Sequence, residues 1–160
     1  MFYLDLLRSL EAHRVRYLLV GGLAMNLLGV PRLTMDVDVV LALDDENLDG
    51  FFAVARELGL KPSIPVAIEF PKDPASRREW IERRNRIALP LVAADPGSPT
   101  LDVLIEHPLE FESAYSRRER RRVADVEANV ASVADMITLK ERAGRRQDRD
   151  DVEHLRRLSS

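Results

Sequence analysis

Two aspartates, Asp36 and Asp38, stand two positions apart in the apolar run Met35-Asp36-Val37-Asp38-Val39-Val40. Side chains on a strand alternate faces, so this spacing predicts both carboxylates on one face. Like charges so close repel, and burying them unpaired is costly. A divalent cation resolves that conflict, and hard oxygen donors of this kind suit Mg2+ or Mn2+ in phosphate-handling sites. Upstream, Gly21-Gly22 closes the run Tyr17–Val20 just before a helix-compatible stretch. Backbone N–H groups at a helix start are open to an anion, and glycine lets a phosphate approach closely. A phosphate cradle and a metal site inside Leu18–Val40 imply nucleotide chemistry.

The elements that must position these groups can be read along the chain. Phe2, Leu6, Leu7 and Leu10 recur at helical spacing and predict a helix over residues 2–13, with His13 at its C-terminal end. Tyr17–Val20 reads as a strand, residues 22–29 as a short helix and Met35–Leu41 as the strand carrying the aspartates. Asp44-Asp45 fits an N-cap for a helix running to Leu58, ended by Gly59. Pro62, Pro65 and Pro71 make residues 60–72 loop or irregular edge strand. Asp73-Pro74 opens a helix to about Arg84. Arg86–Val92 and Thr100–Ile105 flank the turn Asp95-Pro96-Gly97-Ser98-Pro99 and read as a hairpin. Residues 108–115 read as a helix, and Arg117–Val130 as a basic turn followed by a short strand. Ser132-Val133-Ala134-Asp135 fits a capping box for a helix to Ala143, ended by Gly144, and a last helix covers 148–158.

Val20-Gly21-Gly22 followed by Asp36-Val37-Asp38 resembles the signature of the nucleotidyltransferase superfamily with a DNA polymerase β-like core. The longer run Gly21–Val40, with Pro31-Arg32-Leu33-Thr34 ahead of the aspartates, is similar to the minimal AbiEii-like enzymes, which include toxins of toxin–antitoxin pairs. Leu139–Asp148 resembles their C-terminal helical motif, so the likeness reaches both ends of the chain. It implies an α+β nucleotidyltransferase fold, a mixed sheet flanked by helices with a small C-terminal helical part. The whole of 1–160 would be one such domain, with a core over 15–115 and a helical segment over 131–158. It also implies a third carboxylate on a later strand, which Asp102 in Leu101-Asp102-Val103-Leu104-Ile105 matches. Taken alone, Asp102 between apolar neighbours is equally a strand residue facing water. Gly22 stands where many relatives carry a serine hydroxyl aimed at the phosphate.

The roles that follow are expectations. Asp36, Asp38 and Asp102 would hold the metal and carry catalysis. Gly21 and Gly22 would cradle the phosphates, Arg32 and Lys140 would neutralise triphosphate charge, and Thr34 would bond phosphate or position Asp36. Asp148 is placed near the nucleotide by resemblance alone. His107 and His154 read as surface or helix-end residues. The expected activity is metal-dependent transfer of an NMP group from a nucleoside triphosphate to an acceptor hydroxyl, on an RNA or tRNA 3′ end, a protein or a small molecule. The alternative is a non-catalytic module that keeps the fold and binds RNA or a partner protein.

Composition narrows the remaining classes. At 46% hydrophobic, the 160 residues can form a packed core. With no cysteine, disulfides and thiolate metal sites are excluded, and a cytoplasmic setting is expected. No leader and no membrane-length apolar stretch is evident. The net charge is −3, so the chain as a whole is not a polycation. Arginines nevertheless crowd at Arg117–Arg122 and at Arg142–Arg149. Such clusters either meet RNA or triphosphate, or form a solvated face neutralised by Glu119, Asp148, Asp150 and Asp151. No Gly-Lys-Ser/Thr follows Gly21-Gly22 and no G-x-G-x-x-G occurs, which excludes a P-loop and leaves a dinucleotide fold unsupported.

Overall fold

The computed structural model describes residues 2–84 and 87–158. In chain order its elements are α1 (Phe2–Ala12), β1 (Tyr17–Val20), α2 (Gly21–Leu27), β2 (Val37–Leu41), α3 (Asp45–Leu58), β3 (Lys61–Pro62), a 3-10 turn (Phe70–Lys72), α4 (Pro74–Arg84), β4 (Ala88–Val92), β5 (Leu101–Leu104), α5 (Phe111–Ser116), β6 (Glu119–Val123), β7 (Val126–Val130), α6 (Val133–Ala143) and α7 (Arg146–Leu158). The strands form one mixed sheet in the order β3-β4-β5-β2-β1-β7-β6. β2–β5 and β1–β7 are parallel, and the other pairs are antiparallel. This is the expected α+β architecture, a mixed sheet flanked by helices.

Central β1 is buried along its whole length, as a strand covered on both faces must be. The strands to one side of it, β2 at its start, β5 and β4, alternate. Val37, Val39, Leu101, Val103, Leu89 and Leu91 are buried on one face. Asp38, Asp102, Leu104, Ala88 and Pro90 share the other, half-buried face. Buried Asn47 on α3 staples the far end of the β1–β2 pair. Its Nδ2 donates to the Ala42 and Arg16 carbonyls, and its Oδ1 accepts from the Arg16 N–H.

Several helix limits follow from local chemistry. The Asp44 carboxylate accepts from the Asn47 N–H, and Gly59 at φ +67° ends α3. Ser132 Oγ accepts from the Asp135 N–H, and Gly144 at φ +66° ends α6. Asp135 does not complete a capping box, because its carboxylate is taken bidentately by Arg117. The strand bearing the aspartates starts at Val37, so Met35 and Asp36 precede it. α5 starts at Phe111 behind a Glu110 cap, not at Pro108. Of the expected strand Arg86–Val92, residue 86 lies outside the described residues.

The stretch 117–130 departs from expectation. It is a full antiparallel hairpin, β6–β7, and β7 joins the main sheet beside β1. Among the described residues, no helix is long and apolar enough to cross a membrane.

Candidate active site

Parallel pairing of β2 with β5 sets Asp38 directly opposite Asp102. Both point from the half-buried face, so two carboxylates distant in sequence become neighbours by register alone. Asp36 joins them from the loop just ahead of β2. Its Oδ1 accepts from the Thr100 N–H at 3.3 Å, at the entrance to β5, and the Val37 N–H donates to the Thr100 carbonyl at 2.9 Å. Asp36 is exposed and lies outside the strand, so register does not fix it as it fixes the other two.

The electrostatics report this proximity. Burial, then Asp102 and Asp36, push the Asp38 carboxyl up to about 6, while Lys140 and Arg145 pull it back in part. Burial and then Asp36 also raise Asp102. Two carboxylates side by side, both raised by burial and by like charge that Lys140 and Arg145 offset only in part at Asp38, form a donor set that suits a hard divalent cation. Among the described residues, no group of three or more His, Cys, Asp or Glu is preformed as a metal cage. The fit therefore rests on the Asp38–Asp102 pair, with Asp36 beside it.

The Gly21-Gly22 pair does more than turn the chain. Gly21 has φ +74°, and a Cβ there would lie 2.2 Å from Asp38 Oδ2. A Cβ on Gly22 would lie 2.8 Å from Thr34 Oγ1. Each glycine thus makes room for a side chain of the site. α2 begins at Gly21 with Val20 as a cap that offers no side-chain bond, so the N–H groups of Gly21, Gly22 and Leu23 have no partner within the helix. Thr34 Oγ1 donates to the Asp36 carbonyl at 3.1 Å, which places it as a support for the Asp36 loop.

The predicted cations sit in a network. Lys140, almost fully buried, lies 3.0 Å from Asp151 and 3.5 Å from Asp148. Arg32 bonds Asp151 at 2.6 Å. Arg145 bonds Asp148 through Nε at 2.7 Å and through its own N–H at 3.1 Å. Asp148 is 1% exposed and acts as an anchor for cations. The network ties the Pro31-Arg32 loop to α6 and α7, and Lys140 and Arg145 still face Asp38 closely enough to stabilise its charge.

Lys140, Arg145 and Asp148 of this network line one side of a cavity of about 430 Å³, while Arg32 and Asp151, and likewise Asp36, Asp102, Gly22 and Thr34, lie outside its lining. Gly21, Asp38, Lys140 and Arg145 form its polar edge, and Val20, Leu104, Met136 and Leu139 its apolar walls. Sequence reasoning missed these walls, and it read His107 as a surface residue. The structure corrects that, since His107 lines the cavity beside Glu106. The available signal was its position just beyond the C-terminal end of the strand carrying Asp102. His154 is exposed on α7. His13 pairs with the Glu57 carboxylate at 2.8 Å and not with the carbonyls at the end of its helix.

No family model matches the chain, and no curated protein matches it. Solved structures do. A lincosamide antibiotic adenylyltransferase, LnuA, solved with lincomycin bound, aligns with TM-score 0.62 and 15% identity over 98% of this chain and 94% of that one. A nucleotidyltransferase assignment has been given to a Thermotoga maritima protein that aligns with TM-score 0.58 and 12% identity over 96% and 89%. ANT(2″)-Ia, solved with adenylyl-2″-tobramycin, aligns with TM-score 0.53 and 12% identity over 99% and 97%. At these identities the likeness is one of fold, and the fold is that of the polymerase β-like nucleotidyltransferases.

Proposed function

We propose that this cleft transfers a nucleotidyl group from a nucleoside triphosphate to an acceptor hydroxyl, with Mg2+ or Mn2+ as cofactor. The observation that carries the reading is the in-register Asp38–Asp102 pair with Gly21 packed beneath it. Asp36, Asp38 and Asp102 are the residues that would hold the metal, which when bound would offset charge on the phosphates and activate an oxygen nucleophile.

The chain's own groups then have defined tasks. N–H groups at the start of α2 hold phosphate oxygens, and Lys140 and Arg145 offset triphosphate charge. Arg32 braces the loop through Asp151. The acceptor oxygen bonds to the α-phosphorus, the bond from that phosphorus to its bridging oxygen breaks, and pyrophosphate leaves. Asp102, held above the ordinary carboxylate range by burial and Asp36, takes the acceptor proton. The whole stretch 1–160 works as one unit, with the core 15–115 supplying the carboxylates and the helices of 131–158 closing the cleft.

Two lines bear on the acceptor. The lincomycin and adenylyl-tobramycin complexes on this fold support a small-molecule hydroxyl. The Pro31-Arg32-Leu33-Thr34 resemblance supports an RNA or tRNA 3′ end or a partner protein within a toxin–antitoxin pair. Incubation with four α-labelled nucleoside triphosphates and Mg2+ or Mn2+ separates these, using total RNA, hydroxylated small molecules or the protein alone as acceptor. Label transferred by wild type and not by Asp38→Asn is the expected result. Nucleotide-independent RNA binding with no transfer under either metal would overturn it in favour of a non-catalytic module, the reading that the arginines of β6 favour.

A further inference from the structure

Lining the same cavity, beyond the end of β5, Glu106 and His107 stand four and five residues past Asp102. Arg142 on α6 reaches across and bonds Glu106 Oε1 at 2.7 Å, which fixes that carboxylate and links the sheet side to the helical side. The Leu109 N–H donates to His107 Nδ1 at 3.2 Å. Nδ1 is thereby the acceptor of the ring, and the single proton of the neutral imidazole sits on Nε2. Burial, with Arg142 adding to it, lowers the His107 pKa below its usual 6.5 against the opposite pull of Glu106, so the ring is neutral at pH 7. Among the described residues, Nε2 has no hydrogen-bond partner.

The cavity thus has a graded chemistry. Its polar edge carries the cations and the glycine turn suited to phosphates. Its walls are apolar and suited to a flat ring. Next to those walls stands one fixed N–H donor beside one fixed carboxylate. We propose that this part of the cavity receives the nucleobase of the nucleotide, and that His107 is its specificity-determining residue, donating through Nε2–H to a ring nitrogen or carbonyl of the base. Glu106, held by Arg142, accepts from the adjacent amino or imino group. This inference rests on the nucleotidyl-transfer reading and adds to it the part of the site that selects the base. A donor held in one tautomer discriminates because a base without the matching acceptor takes the Nε2–H away from water and leaves it unpaired.

The test is equilibrium binding of ATP, GTP, CTP and UTP in Mg2+, followed by an analogue of the preferred nucleotide with the acceptor atom removed or weakened. Deaza analogues serve for ring nitrogens and thio analogues for carbonyls. Wild type should bind the parent about 10-fold more tightly than one such analogue. His107→Phe should bind parent and analogue equally, and His107→Asn, which keeps an N–H donor, should recover part of the preference. His107→Leu, which likewise lacks an N–H donor, replaces His107→Phe if the latter does not fold. A His107 variant that keeps the full wild-type preference, or a wild type indifferent to every analogue, overturns this inference while leaving nucleotide binding intact. Failure of wild type to bind any of the four triphosphates overturns the transfer reading itself.

Discussion

Gly21 lies against Asp38 so closely that a Cβ at residue 21 would stand 2.2 Å from the carboxylate oxygen. The glycine is therefore part of the seat of the carboxylate as well as a turn residue. Gly21→Ala should destabilise the protein by more than the ~1–2 kcal/mol that a left-handed backbone costs an alanine, because Asp38 must also move. Transfer activity should fall at least about 10-fold. Gly59→Ala is the control, since Gly59 has φ +67° and no atom within 4 Å of the added carbon. It should show the backbone cost alone, with activity unchanged. Thermal denaturation and nucleotide transfer on both variants separate the two effects.

Asp38 should destabilise the fold at neutral pH. Its carboxyl titrates at about 6 in the folded chain against 3.8 as the ordinary value. Between those limits the folded state binds more protons than the unfolded one, so stability falls as pH rises through that window and is flat above it. Asp38→Asn removes the charge and should be more stable than wild type by about 1–3 kcal/mol at pH 7, with the difference vanishing below about pH 4. Denaturant unfolding from pH 3.5 to 8 measures this. Added Mg2+ or Mn2+ should stabilise wild type and not the variant. A variant less stable than wild type at pH 7 would show that the carboxylates are already compensated.

Lys140 holds two buried carboxylates, Asp148 and Asp151. Lys140→Met keeps much of the bulk and leaves those charges to Arg145 and Arg32 alone, which should cost about 3–5 kcal/mol. Lys72→Ala breaks an exposed pair with Asp49 and should change stability by about 0.5 kcal/mol or less. Urea unfolding of both variants, with wild type as reference, tests whether the cluster holds the fold together.

Much of this architecture was legible because local chemistry marks it. Asp44 and Gly59 bracket α3, and Ser132 and Gly144 bracket α6, each through bonds within a few residues. The hairpin 119–130 gave no such mark. Its turn places Ala124 at φ +54° with no glycine or asparagine at that position, and Arg120-Arg121-Arg122 hides any alternation. Its place beside β1 is a pairing between residues far apart, which no local pattern encodes. The same holds for the site. That Asp38 meets Asp102 is a matter of parallel register, visible in the sequence only by resemblance. The meeting of His107 and the apolar walls in one cavity emerges only when α6 is set against the ends of β4 and β5.

That unforeseen hairpin also touches the far end of the helix that opens at the glycine pair. Arg121 Nε donates at 3.2 Å to the carbonyl of Leu27, the last residue of α2, the helix that begins at Gly21. A cation on the terminal carbonyls satisfies an open acceptor and opposes the helix dipole favourably. Its neighbour Arg120 is 60% exposed at the side chain and only 3.6 Å from Glu127. Arg121→Ala should therefore cost about 1–2 kcal/mol and weaken nucleotide binding through a looser glycine turn. Arg120→Ala should leave stability within about 0.5 kcal/mol and transfer unchanged. Thermal unfolding with and without nucleoside triphosphate measures both. If the β6 arginines instead form an RNA surface, the two substitutions should weaken RNA binding alike and reduce its salt dependence by similar amounts, with no change in the nucleotide-induced shift. The contrast between the two arginines thus decides whether β6 supports a transferase cleft or presents a binding face.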